Sequence, residues 1–161
     1  MSEVIYEIAN EQDIPAAVCV HEAAFYEWDG AKDREKVAAS WRESLRKRPD
    51  CILSIARLDG EVVAFTIGWA DKEPGNYFIA LVGGKPETRG RGIGRGLFRF
   101  TIEEIRKRGY KTIDINTLNR YRAMLILCVT EDFDIVDLKY DEGRKCKRIF
   151  LRRTFGEHVR P

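Results

Sequence analysis

Apolar residues recur along the chain with a period of two in some stretches and of three to four in others, and the two periods lay out the elements. Ile5–Ala9 reads as a short strand. Asn10-Glu11-Gln12-Asp13 then marks a helix start, with Pro15 tolerated in the first turn. Ile14, Val18, His21 or Glu22, and Phe25 share adjoining positions on that helix, and Trp28-Asp29-Gly30 breaks it. A second helix is predicted over roughly Asp33 to Arg48, where Val37, Trp41 and Leu45 form an apolar stripe. Cys51–Leu58 and Glu61–Ala70 are strands joined by the two-residue turn Asp59-Gly60. Tyr77–Val82 is a fourth strand, apolar enough to be buried. The helix that ends at Arg108 has Ile93, Leu97, Phe100, Thr101 and Ile105 on one face, with Gly109 as its stop. Lys111–Thr117 is a strand, Arg120–Thr130 a helix, and Phe133–Tyr140 with Lys145–Phe155 a hairpin. This order predicts an α/β fold around a mixed sheet.

One stretch departs from both periods. Arg89-Gly90-Arg91-Gly92-Ile93-Gly94-Arg95-Gly96 lies between the Tyr77–Val82 strand and the following helix. Glycines there let a ligand approach the backbone closely. The first N–H groups of a helix have no internal partner and carry partial positive charge. With Arg89, Arg91 and Arg95 added, the stretch reads as a seat for a phosphate or pyrophosphate. The spacing G-x-G-x-G is neither the dinucleotide fingerprint nor a P-loop, since no Gly-Lys-Ser/Thr follows.

Composition narrows the partners. The chain has 161 residues, the size of one domain spanning 1–161. A net charge of +2 gives no bulk electrostatic case for nucleic acid. No apolar run is long enough to span a membrane, and the first residues show neither a basic leader nor a hydrophobic signal segment. Cys19, Cys51, Cys128 and Cys146 are far apart, with His21 and His158 the only histidines. No metal site is expected from that spacing, and free thiols point to the cytoplasm.

Pro86 to Gly94 resembles the acetyl-coenzyme A signature of the GNAT superfamily of N-acetyltransferases. That signature is an Arg or Gln, two residues, Gly, one residue, then Gly or Ala, after a nearby Pro; Arg89, Gly92 and Gly94 fill it. Tyr6–Pro15 is similar to common N-termini of the family, and the element order matches throughout. The resemblance implies a central mixed, mostly antiparallel sheet of about seven strands flanked by about four helices. It implies acetyl-CoA as acyl donor, an amine as acceptor, and room for a homodimer. The N–H groups of Arg89, Gly90, Arg91, Gly92, Ile93 and Gly94 would hold the pyrophosphate, with Arg95 beside them. Val82, Gly83 and Gly84 would pair with the pantetheine arm, and the thioester would lie between that strand and Asp114–Asn116.

The catalytic half matches less closely. The helix after the fifth strand in the family carries an Asn, a Tyr seven residues later, and then Leu-Gly-Phe. Here Tyr121 and Cys128 occupy the Asn and Tyr positions, Glu131-Asp132-Phe133 replaces Leu-Gly-Phe, and Asn119, two residues early, is the remaining cofactor contact to consider. Candidate acids for the departing thiolate are therefore Cys128 and Tyr121, with a small buried residue and an aromatic wall as the other readings of each. Asp114 and Asn116 share a strand face and either order a proton-accepting water or serve as structural groups. His21 reaches the acceptor region by analogy. Glu22, Glu27, Asp29 and Asp33 make the first helix acidic, as would suit a cationic amine, or simply as a solvated surface. Two functions fit these residues: an N-acetyltransferase working by direct attack, or a non-catalytic acyl-CoA sensor or scaffold on the same fold.

Overall fold

The computed structural model describes residues 2–156; His158 lies outside them. The elements run β1 (Val4–Ile8), α1 (Ile14–Asp29), α2 (Arg34–Lys47), β2 (Ile52–Leu58), β3 (Glu61–Ala70), β4 (Asn76–Gly84), α3 (Ile93–Lys107), β5 (Thr112–Leu118), α4 (Arg122–Thr130), β6 (Asp134–Asp141) and β7 (Cys146–Thr154). The seven strands form one sheet in the order β1-β2-β3-β4-β5-β7-β6. Every pairing is antiparallel except β4 with β5. α3 supplies the crossover that a parallel pair requires.

Local chemistry sets the boundaries. Asn10 and Asp13 form a reciprocal capping box ahead of α1. Asp33 caps α2 by accepting from the Lys36 N–H, and Arg46 and Lys47 occupy its last turn. The helices divide by face. α1 and α2 bury Ile14, Val18 and Trp41 against Leu53, Ile55, Phe65 and Ile67. On the other face α3 brings Phe98, Ile102 and Ile105 to Tyr77, Ile79, Ile113 and Ile115, and Cys128 and Phe133 join that cluster. The buried face of α3 is broader than the sequence stripe, because Phe98 and Ile102 are buried while Phe100 is half-buried.

What positions the site is a parting of two strands. β4 pairs with β5 only from Asn76↔Thr112 to Ile79↔Ile115. At the same level its register with β3 jumps: Leu81 faces Ile67, but Ile79 faces Gly68, so Ala80 is an extra residue in β4. Such a bulge bends the strand that carries it. Beyond it, β4 keeps β3 on one side while β5 continues alongside β7 to Leu118. Gly68 is what lets the bulge close. A Cβ there would stand 2.4 Å from the Phe78 carbonyl oxygen and 2.9 Å from the Tyr77 ring.

His21 packs among the Phe25, Trp41 and Phe65 rings, with centroids 5.3, 5.5 and 5.9 Å away. Its Nδ1 is buried with no hydrogen-bond partner among the described residues. Burial, with Lys32 adding to it, pushes the imidazole down to about 4.

Two stability predictions follow from these placements. Gly68→Ala should lose about 1–3 kcal/mol in urea unfolding, since the added methyl meets backbone that cannot move aside. A loss no larger than that of Gly94→Ala, whose Cβ would meet nothing within 4 Å and whose φ is not positive, would contradict it. For His21, the unfolded imidazole takes up a proton below about 6.5 while the folded one stays neutral down to about 4. The unfolded chain binds more protons in that window, so this contribution is complete above it and is lost as the pH falls through it, by roughly 2–3 kcal/mol in all. His21→Phe, matched to its aromatic cage, should remove that part of the acid dependence. Parallel stability curves for the two proteins between these pH values would refute the assignment.

Candidate active site

Two cavities open on the parted strands. The larger, about 580 Å³, runs from the end of β4 along the glycine turn to the start of α4. The smaller, about 200 Å³, lies between β4, β5, α1 and the β6–β7 turn. Phe25, Val82, Tyr121 and Met124 line both, so the cavities meet at these four side chains.

The larger cavity is built for an anion at one end. Gly92, at φ +76°, precedes α3 and offers no side-chain cap. The Gly96 N–H is the one that returns to the Gly92 carbonyl, at 3.0 Å. The N–H groups before it are the orphan donors of a helix start. A Cβ on Gly90, Gly92 or Gly94 would meet nothing within 4 Å. These glycines therefore leave room in front of the backbone and fill no packing need. Gly96 and Gly83 differ: a Cβ on the first would strike the Tyr6 hydroxyl, and on the second the Phe65 ring. That explains the first of the two glycines at the end of β4, where α1 and Phe65 press on the strand; a Cβ on Gly84 would sit at an ordinary 3.7 Å from Ala64.

Lys85, Arg89, Arg95, Arg120 and Arg122 line this cavity, with Glu27 the one carboxylate. Arg95 Nε and Arg99 Nε donate to Glu131 Oε1 at 2.7 and 2.8 Å. Burial works to raise the Glu131 carboxyl, but those two hydrogen bonds outweigh it and hold the group below its ordinary value. Glu131 thus fixes Arg95 from the position where the family signature has a leucine. Lys85 is paired with Glu61. Arg120 stacks over the Trp28 and Tyr121 rings, at 5.2 and 5.4 Å, and its Nε is buried without a partner among the described residues.

The residues present fit acetyl-CoA. The open glycine cradle suits a pyrophosphate, and the orphaned Arg120 Nε lacks an acceptor. The parted edge of β4 leaves Val82, Gly83 and Gly84 free to pair as a strand would with an amide-bearing arm. Arg89, Gly90, Gly92, Ile93, Gly94 and Arg95 all line the cavity with them. Arg91 and Asn119 do not; the Asn119 N–H instead donates to the Lys147 carbonyl at 2.8 Å. Arg120, its neighbour, takes the place in the wall that sequence reading gave to Asn119.

Two catalytic candidates are corrected. Cys128 is fully buried in the core between α3, α4 and the sheet and lines neither cavity. Burial pushes its thiol up to about 12. It belongs to the packing. Asp114 sits before the strands part, opposite Phe78. It accepts from Asn76 Nδ2 at 2.9 Å and from Arg152 Nε and Nη2 at 2.6 and 2.8 Å. Asp71 and Glu73 lie close enough to Asp114 to share an ion, but Asn76 bridges to the first and Arg152 to the second. Asn116, two residues on, does reach the smaller cavity.

Tyr121 is placed differently. It precedes α4, with the Phe25 and Trp28 rings each 5.7 Å away, and is held at the junction of the cavities. His21 lines the smaller cavity with Asp29, Lys32, Arg144 and Arg148. Two carboxylates of the acidic first helix are already taken by cations. Glu22 accepts from Arg34 and from the Lys32 N–H. Asp29 takes Lys32 at 3.2 Å and Arg144 at 2.8 Å. Sequence periodicity gave no hint of Arg144 or Arg148, because a turn and an edge hairpin offer no pattern that says where their long side chains reach.

The Acetyltransferase (GNAT) family model matches residues 7–124. No curated protein matches the chain in sequence. Among solved structures, ribosomal-protein-alanine N-acetyltransferase from Brucella melitensis is 20% identical with a TM-score of 0.78, over 94% of this chain and 99% of its own. The structure of yncA from Salmonella typhimurium with its cofactor acetyl-CoA is 18% identical with a TM-score of 0.77, over 99% and 98%. The paia N-acetyltransferase from Thermoplasma acidophilum, in complex with coenzyme A, is 12% identical with a TM-score of 0.75, over 95% and 99%. At such identities the likeness is one of fold. With the family model matched over most of its length on that fold, the chain belongs to the GNAT acetyltransferase family.

Proposed function

We propose that the chain is an acetyl-CoA-dependent N-acetyltransferase that moves the acetyl group to an amine by direct attack in a ternary complex. The observation that carries this is the meeting of two cavities at Tyr121 and Val82, one basic and glycine-lined, the other closed by α1 and the β6–β7 turn. A module that merely sensed acyl-CoA would need the first cavity alone.

The acyl group arrives as a thioester, and the chain's residues act around it. The N–H groups of α3's first turn, with Arg89 and Arg95, hold the pyrophosphate. The edge of β4 from Val82 to Gly84 aligns the arm and offers N–H donors where negative charge develops on the carbonyl oxygen. Tyr121 is the proton donor to the departing thiolate, its ring held by Phe25 and Trp28 so that its hydroxyl stays in place. The amine enters from the smaller cavity. The exposed apolar side chains Val136, Leu138 and Tyr140 on edge strand β6 suit pairing with a second copy, which keeps a homodimer within this reading. Among the described residues no helix is long and apolar enough to cross a membrane, in keeping with a cytoplasmic enzyme.

Calorimetric titration with coenzyme A tests the first half. Gly92→Asp places a carboxylate in the anion seat and should weaken binding by about a hundredfold or more; unchanged affinity would show that the seat is elsewhere. Thiol release with acetyl-CoA and a panel of amines tests the second half, and no release with any acceptor would leave the sensor reading. Tyr121→Phe should cut kcat by about 10²–10⁴-fold with little change in coenzyme A affinity. Cys128→Ala should leave kcat near wild type and cost about 1 kcal/mol of stability. The reverse pattern would reinstate the thiol.

A further inference from the structure

The smaller cavity has a charge pattern that the transfer reaction does not itself demand. Its charged lining is Lys32, Arg144, Arg148 and Asp29, with His21 held neutral beside them by burial. Asp29 is fully engaged: Arg144 Nη1 donates to its Oδ1 at 2.8 Å and Lys32 Nζ to its Oδ2 at 3.2 Å. Burial would raise this carboxyl, but the two cations outweigh it and hold it below its ordinary value. Arg148 is oriented by Asp141, which accepts from its Nε and Nη2 at 3.0 and 2.6 Å, and by Asn116, whose Oδ1 accepts from Nη1 at 2.6 Å.

Counted together, three cations face two carboxylates, and the excess positive charge gathers at the wall of one cavity, on half-buried Lys32 and Arg148 and on more exposed Arg144. Each cation keeps donors in hand. A guanidinium has five N–H groups and an ammonium three; one N–H of Arg144, one of Lys32 and three of Arg148 have the partners above. A cationic group entering here would find no unengaged carboxylate in the lining and three like charges. The opposite wall is apolar, with Leu81, Ile115, Leu118 and Met124 running up to Tyr121.

We infer that the acceptor is a small aminocarboxylate with an apolar body, its carboxylate held by Arg144, Arg148 and Lys32 and its amine directed at the Tyr121–Val82 junction. This rests on the acetyltransferase reading above and adds the class of acceptor. The volume favours a small molecule, since about 200 Å³ lies below the range of drug-sized pockets. A forked guanidinium recognises a carboxylate through paired hydrogen bonds, and charge-assisted bonds of this kind are the strong ones.

The test uses the full chain with acetyl-CoA and thiol release, on matched pairs: leucine with leucinamide, and phenylalanine with phenylalaninamide. Coenzyme A titration of every protein checks the donor half independently. The carboxylate member of each pair should have the higher kcat/KM by about tenfold or more. In Arg144→Gln and in Arg148→Lys that ratio should fall by about tenfold, through loss on the carboxylate member. Equal or better turnover of the amides would overturn the inference. So would a ratio unchanged by both variants, or preference for a peptide with a blocked C-terminus. No turnover of any pair by a protein that still binds coenzyme A would overturn the inference alone; failure to bind coenzyme A would overturn the reading beneath it.

Discussion

The separation of β4 from β5 after Ile79–Ile115 is the constraint on which the rest depends. A sheet gains by pairing every strand edge, and unpaired backbone groups away from water are costly. Here the pairing stops in mid-strand because Ala80 is an extra residue in β4, and Gly68 on β3 removes the side chain that would forbid it. Beyond the bulge β4 ends on the glycine turn, while β5 ends on the segment that carries Arg120 and Tyr121. One local irregularity thus puts an anion seat, an unpaired strand edge and an aromatic hydroxyl around a single opening. A donor that pairs with that edge replaces the hydrogen bonds the sheet gave up.

Positive charge gathers on both sides of the opening, but from different elements. The donor side gathers arginines, one of them held in position by Glu131, a buried carboxylate whose two ion pairs make burial tolerable. The smaller cavity also carries an excess of positive charge, from α1's end and the last hairpin, with Asp29 tying the two together. Removing Asp29 would both unpin the hairpin turn and leave the cations opposed. Much of the acidity of the first-helix region, which in sequence suggests a site for cations, is consumed in holding these elements in place, through Glu22, Asp29 and Asp33.

The donor side was far more legible in sequence than the acceptor side, for physical reasons. An anion seat is made from contiguous backbone, so Arg89 to Gly96 announces it in order, and a β-period before it with a helix period after it fixes its setting. Most of the strands and helices were readable because they bury a stripe; β6 is exposed along nearly all of its length and was read from its place in a hairpin. α4 was not readable in the same way. Its segment Ala123-Met124-Leu125-Ile126-Leu127-Cys128-Val129 is apolar on every side, so periodicity cannot say which face meets the core. In the fold Ile126 and Val129 are exposed, 65% and 52%, and Cys128 is at 0%. The counting that put Cys128 in the acid position follows the chain alone and is silent about direction. Asp114 failed for another reason. Alternation placed it on the same face as Asn116, but the bulge that ends the strand pairing lies in β4, and nothing in β5 marks where the opening begins.

A cationic acceptor cavity also bears on the missing base. No carboxylate from β4 or β5 points at the junction, and His21, held near 4, is a weak proton acceptor. An ammonium placed among Lys32, Arg144 and Arg148 is disfavoured against its neutral amine, because like charges lower the pKa of a cationic acid. In the proposed reading, the same cations that would grip a carboxylate therefore shift the amine toward the form that attacks, and its proton can leave to water. The carboxylate offsets part of this effect, so the balance turns on distance: Coulomb interaction falls with separation. The cations lie toward the turn and the amine toward Tyr121. A carboxylate held by all three cations neutralises much of their charge, so what still favours the neutral amine is set by how far the amine stands from that carboxylate.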